Sequence, residues 1–186
     1  MNKVNKRKSD GFSLLETIVA MGIFTVVISV TIGAFLVAIK AQRVVLTEKA
    51  MSENINFALE FMSRQMRVAK RDTAGVCIPI NSTFNTQGSQ ISFINSSLDC
   101  ISFFLSFGAL VYENTTTPSG EIALTDNTIV KIDSLSFLVQ GEQNSDPEQP
   151  RVTMVISASG AGKSAESQGV QLNIQTTVST RELDIN

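Results

Sequence analysis

The stretch FSLLETIVAMGIFTVVISVTIGAFLVAI, residues 12–39, contains 28 residues and a single charged side chain, that of Glu16. Sixteen of the 28 are Ile, Leu, Val or Phe. A helix of this length spans roughly 40 Å, more than the hydrocarbon core of a bilayer at about 30 Å. These side chains favour insertion by about 5 to 10 kcal/mol, whereas a carboxylate costs about 3 kcal/mol at most. The stretch therefore predicts a membrane-spanning helix.

A cleaved secretory signal is the alternative explanation of this apolar run. Such signals have an apolar region of about 7 to 15 residues followed by a small-x-small cleavage site. The run is about twice that length, and no Ala-x-Ala sequence stands at its far end. Residues 1–11 carry a net charge of +3, with the whole chain at −2, so the remainder carries −5. A basic segment followed by a long apolar run is typical of targeting to a membrane, and a retained span is favoured.

Residues 40–74 show helical periodicity of a different kind. Apolar residues recur at spacings of three and four and form one stripe: Met51, Ile55, Ala58/Leu59, Met62, Met66 and Ala69. We interpret this stripe as packing on the protein's own sheet and not as a docking surface. No proline precedes Pro79, so one helix of about 55–60 residues is predicted to run through both segments. Its predicted end lies near Arg71, before the turn residues 72–75.

Residues 75–186 read as short β-strands separated by turn sequences. The predicted strands are 89–95, 99–106, 109–113, 120–124, 128–139, 151–157 and 169–180. The connections are too short for crossover helices, so the pairing should be antiparallel. The predicted fold is α+β, a long N-terminal helix packed on an antiparallel β-sheet head. The predicted segments are 1–11, 12–39, 40–74 and 75–186.

No enzymatic, metal or cofactor site is predicted. The chain has no histidine and only two cysteines, and its acidic balance gives no reason to expect nucleic-acid binding. The sequence SGAGKS, residues 159–164, lacks the first glycine of a phosphate-binding loop and leads into a strand, so it predicts a hairpin loop. The acidic loop 141–149 lacks the ligand order of a calcium loop and is interpreted as a solvated loop.

Cys77 and Cys100 are the one candidate pair for a disulfide. In an oxidising compartment a bridge between them would contribute roughly 3 kcal/mol by closing the loop. In a reducing compartment the two residues would instead be buried thiols. The disulfide is favoured if the β-rich part is exported.

The sequence KRKSDGFSLLE, residues 6–16, followed by the apolar helix, resembles the prepilin-type cleavage and methylation signal of type IV pilins and type II secretion pseudopilins. ALEFMSRQMRVAK (58–70) and NIQTTVSTRELD (173–184) are similar to minor subunits, the J-type pseudopilins and W-type minor pilins. The chain lacks the mid-helix proline of many major pilins, and its cysteines lie just after the helix. Both departures favour a minor subunit.

This resemblance implies a function and a set of functional residues. Residues 1–11 would be the leader, removed by a prepilin peptidase between Gly11 and Phe12, and the new amine of Phe12 would be N-methylated. Glu16 would pair with the N-terminal amine of a neighbouring pilin or pseudopilin subunit. The N-terminus would be cytoplasmic and the head extracytoplasmic, and assembly would place the protein in a filament at the cell surface or in the periplasm. Two alternatives stay open, a signal-anchored protein with a β-rich binding domain and a major pilin.

Overall fold

The computed structural model describes residues 11–117, 120–142, 149–162 and 169–181. The predicted leader up to residue 10, most of the acidic loop and the last two residues of SGAGKS lie outside this part of the chain. The chain divides into two units, Met1–Gln42 and Arg43–Asn186.

A long helix, α1, spans Leu14–Arg67. The carbonyl of Ser13 accepts a hydrogen bond from the backbone N–H of Thr17 at 3.2 Å, which places Ser13 at the N-cap. The prediction of one helix through both the apolar and the amphipathic segments is therefore confirmed.

The helix ends four residues earlier than the periodicity predicts, at Arg67 and not near Arg71. The backbone N–H groups of Val68 and Ala69 bond to carbonyls three residues back, which tightens the last turn. The N–H of Lys70 then donates to the carbonyl of Ile94, in a strand, at 2.8 Å. The chain leaves the helix because its next backbone partner lies in the sheet, although the apolar spacing continues to Ala69.

In the part of the chain that the structure describes, eight strands follow α1, and all of their pairings are antiparallel. They are β1 Asn85–Gln87, β2 Gln90–Ile94, β3 Cys100–Ser106, β4 Ala109–Asn114, β5 Ile122–Ala123, β6 Val130–Gln140, β7 Arg151–Gly160 and β8 Gln171–Ser179. They form two sheets, one ordered β1-β2-β3-β4-β5 and one ordered β6-β7-β8. The predicted α+β class with antiparallel pairing is confirmed, and the division into two sheets is additional to it.

The core of the second unit lies between α1 and both sheets. Every member of the predicted apolar stripe is buried, from Met51 in α1 to Ala69 just after its end. The stripe belongs to the same buried cluster as Phe93 and Phe103 of the first sheet and Met154 of the second. The interpretation of the methionine stripe as core packing is confirmed.

Candidate functional site at the start of the helix

Gly11 and Phe12 lie immediately before α1. A β-carbon built on Gly11 would meet no atom within 4 Å. Phe12 is 81% exposed as a residue and belongs to no described hydrophobic cluster. Neither the packing nor the backbone conformation of the described residues therefore requires glycine at position 11 or an aromatic side chain at position 12.

Glu16 lies in the first turn of α1 and its residue is exposed. It lies four residues after Phe12 in the sequence, and a helix extended back to Phe12 would separate the two by an axial rise of about 6 Å. The helix dipole favours a carboxylate in this turn. Among the described residues, no hydrogen bond or ion pair to the Glu16 carboxylate is present, so the group is available to a positive partner from another chain.

After Glu16, the first half of α1 presents an apolar surface on which threonine and serine hydroxyls bond to the helix backbone. An 18-residue window of the helix has a mean hydropathy of 2.5, and none of the window is buried within the protein. Four hydroxyls within the apolar run donate to carbonyls three or four residues back, those of Thr17, Thr25, Ser29 and Thr31, at 2.6 to 2.8 Å. Hydroxyls bonded in this way expose no unsatisfied donor to lipid. This half of the helix has the length and composition of a membrane span.

Cys77 and Cys100 form a disulfide, with their Cα atoms 5.6 Å apart. Cys100 is the first residue of β3, and Cys77 lies in the loop after α1. The bond therefore ties the chain segment that leaves the helix to an inner strand of the first sheet.

The Asp72 carboxylate organises the loop that carries Cys77, a role that sequence reasoning missed. Its two oxygens accept four backbone N–H donors, from Ala74, Gly75, Cys77 and Ile78, at 2.6 to 3.2 Å. These bonds, that from Cys77 first, lower the pKa of Asp72 to about 2, against the smaller opposing effect of burial. The turn residues after Asp72 predicted the end of the helix, but the four donors to its carboxylate could be identified only from the folded loop.

Glu142 is a second carboxylate with an internal role. It follows β6, and its Oε1 accepts the backbone N–H groups of Thr83 at 3.2 Å and Phe84 at 2.6 Å. It thereby connects the second sheet to the segment that precedes the first. Sequence reasoning placed Glu142 in a solvated acidic loop, whereas its carboxylate is bound to the backbone.

The remaining motifs have structural explanations within the described residues. The first part of SGAGKS ends β7, and the N–H of Gly160 donates to the carbonyl of Val170 at 3.1 Å, as expected for a hairpin. Among the described residues, no group of three or more His, Cys, Asp or Glu side chains is arranged to hold a metal ion.

Comparison with known proteins gives one match. Residues 6–32 match the family model of the prokaryotic N-terminal methylation motif, the signal of type IV pilins and pseudopilins. This motif marks a structural and not an enzymatic family. No curated protein and no solved structure matches the chain. The match covers the candidate site and the first part of α1, and it supports a type IV pilin-like protein.

Proposed function

We propose that this chain is a minor pilin or pseudopilin, a structural subunit stored in the membrane and assembled through its N-terminal helix into a filament or its tip. The observation that carries the proposal is the methylation motif at residues 6–32 on a helix whose first half is apolar and exposed. An exposed apolar helix needs lipid or other helices as its surroundings. A subunit that moves from a membrane into a helical bundle meets that requirement at both stages.

Processing would occur at the bond between Gly11 and Phe12. Glycine at position 11 meets no packing or conformational need in the described residues. Recognition by another protein therefore best explains why glycine is present there. A prepilin peptidase acting at a residue without a side chain can approach the backbone closely. Cleavage leaves a cationic amine on Phe12, and this amine is then N-methylated.

Glu16 would act in assembly. A single subunit in lipid holds this carboxylate near the membrane surface at modest cost. When helices bundle, the surroundings become less polar, and an unpaired carboxylate becomes expensive. Pairing with the Phe12 amine of a neighbouring subunit removes that cost and fixes the axial register of the two helices.

The disulfide supports an extracytoplasmic position for the β-rich unit. Disulfides persist in oxidising compartments and are rare in the cytoplasm. The basic residues before the span favour a cytoplasmic N-terminus. Both observations support the proposal that residues 1–11 lie in the cytoplasm and the second unit lies outside the cytoplasmic membrane.

Mass spectrometry of the chain purified from cells that contain a prepilin peptidase tests the proposal. The wild-type protein should lack residues 1–11 and carry a methyl group on Phe12. Gly11→Arg should retain its N-terminus, because the large side chain blocks access to the bond. Gly22→Ala is the matched control, since it also changes a glycine with open space around it and leaves the cleavage site intact.

An intact and unmethylated N-terminus in the wild-type protein would contradict the proposal and favour a signal-anchored binding protein. If processing occurs, the amount of the protein in sheared filaments separates a minor subunit, present at low abundance, from a major pilin.

A further inference from the structure

The outer edge of β8 is long, regular and uncharged. β8 ends the three-stranded sheet, and no strand pairs with its outer side among the described residues. It pairs with β7 over nine consecutive positions without a register shift. Its sequence, QLNIQTTVS, contains no charge and no proline. Proteins usually protect such edges with lysine, proline or a bulge, so an unprotected edge of this length is suited to pairing with another strand.

The backbone groups that face outward can be identified from the pairing with β7. The N–H of Gly160 donates to the carbonyl of Val170, and the N–H of Thr180 donates to the carbonyl of Pro150. Bonded pairs alternate with non-bonded pairs in an antiparallel ladder, so the even-numbered residues of β8 bond to β7. The N–H and C=O groups of its odd-numbered residues, from 171 to 179, therefore point to the open side.

The side chains of β8 are also incompletely covered. Leu172 and Ile174 pack against the core cluster but are only partly buried, whereas Gln171, Asn173 and Gln175 are exposed. An added strand with the same alternation would extend the apolar face beside Leu172 and Ile174. It would extend the polar face on the other side of the sheet.

An arginine-lined cavity of about 440 Å³ adjoins the C-terminal end of β8. Arg64, Arg67 and Arg181 line it together with one carboxylate, Glu60. The N–H of Arg181 donates to the carbonyl of Arg67 at 2.9 Å, so backbone contacts hold the two residues together. Glu60 already pairs with Arg64 at 3.0 Å, so the described residues that line the cavity keep an excess of positive charge.

We propose that the open edge of β8 and this cavity form one binding site for an extended segment of a partner protein. The segment adds a strand to the sheet, alternates apolar with uncharged polar residues, and carries acidic residues at the end that reaches Arg67 and Arg181. The unpaired backbone groups define an extended chain as the ligand, and the arginines define its charge. The site lies in the second unit and does not depend on the filament role.

Fluorescence anisotropy with a labelled peptide, EEQLNIQTTVS, tests this site on the full-length protein in detergent micelles. The peptide is the β8 sequence preceded by two glutamates. When it pairs antiparallel with β8 so that its first glutamine lies opposite Ser179, the two glutamates reach Arg181. The peptide KKQLNIQTTVS is the matched control and should bind about tenfold more weakly or worse. The double variant Arg67→Glu/Arg181→Glu should reverse this preference. Equal binding of both peptides, or no binding of either, would overturn the proposal.

Backbone methylation of the peptide tests strand pairing without altering the protein. N-methyl groups at the positions matching Asn173, Gln175 and Thr177 remove the donors that face β8, and binding should fall about tenfold or more. N-methyl groups matching Leu172, Ile174 and Thr176 point away and should be tolerated. Equal effects of the two methylation patterns would exclude strand addition. If the full-length protein forms a dimer and the peptide dissociates it, the edge of β8 binds a second copy of the chain. That result would overturn the assignment to a different partner protein.

Discussion

Glu16 combines two properties that conflict in an isolated chain, a charged side chain and a position at the start of a membrane-length apolar run. The helix dipole favours the carboxylate in the first turn but does not neutralise it. A positive group supplied by another subunit would do so. The residue is therefore more informative about assembly than about the stability of the folded chain.

Replacing Glu16 by glutamine should leave membrane insertion unchanged and reduce incorporation into filaments by about tenfold or more, because the amide forms no ion pair with an amine. Membrane fractionation measures the first property, and the abundance of the variant in sheared filaments beside wild-type partners measures the second. Glu53→Gln is the matched control, since Glu53 lies on the same helix in an exposed pair with Lys49. Normal incorporation of Glu16→Gln would exclude the pairing.

Asp72 makes the stability of the second unit depend on acid. Its pKa in the folded protein is about 2, below the ordinary value of 3.8, so ionisation favours the folded state. The resulting stabilisation is fully present above about pH 4 and is lost as the pH falls towards 2. The thermal unfolding midpoint of the full-length protein in micelles should fall over this range.

Asp72→Asn should lower the midpoint at pH 7 by several degrees and flatten its dependence on pH between 4 and 2. The amide nitrogen that replaces one carboxylate oxygen does not accept hydrogen bonds, which leaves two backbone donors without their partner. Asp133→Asn, at an exposed residue paired with Lys131, is the control and should leave the acid dependence in place. If Asp72→Asn keeps the wild-type dependence of the unfolding midpoint on pH, other carboxylates cause that dependence.

At the scale of elements, helix α1 has buried and exposed large apolar side chains close together, so their contributions to stability can be compared directly. Met62 is fully buried in the core cluster, whereas Phe57, just over one turn earlier, is 63% exposed. Met62→Ala should destabilise the second unit by about 2 to 5 kcal/mol because a cavity remains in the core. Phe57→Ala should cost less than about 1 kcal/mol. Denaturant unfolding of both variants in micelles measures the difference, and similar losses would contradict this account of the core.

Periodicity predicted the elements with a strong pattern and missed those defined by their partners. The stripe of α1 and the long alternating strands β6 and β8 were visible because burial on one face selects apolar residues at regular spacing. β1, with the sequence Asn-Thr-Gln, has no apolar residue and was missed. Alternation assigns residues to faces of a sheet and not strands to neighbours, so the division into two sheets was not predictable.

The candidate site at the start of α1 was predictable because its residues are contiguous in sequence. Gly11, Phe12 and Glu16 form a local motif that needs no tertiary contact to be recognised. Glu142 is different, since it accepts hydrogen bonds from residues nearly sixty positions earlier. Bonds from a carboxylate to distant backbone donors leave no pattern in the sequence.

At the scale of the whole molecule, the charge of the leader should influence the orientation in the membrane. The orientation should in turn determine whether the two cysteines are oxidised. Basic residues before the span favour a cytoplasmic N-terminus, but Lys40, Arg43 and Lys49 follow the span and oppose it. The triple change Lys6→Glu/Arg7→Glu/Lys8→Glu changes the leader from net +3 to −3, since three positive charges become three negative ones. A substantial fraction of this variant should insert with the second unit in the cytoplasm.

Two measurements on intact spheroplasts follow this change independently of filament assembly. External protease should degrade the second unit of the wild-type chain and should spare the inverted fraction of the variant. The same fraction should carry free thiols at Cys77 and Cys100, because the cytoplasm keeps cysteines reduced. Lys3→Gln, a smaller change in the same segment, is the control and should stay accessible to protease and oxidised. If the triple variant remains fully accessible and oxidised, the leader charge does not set the orientation, and export must be specified by the span or the regions that follow it.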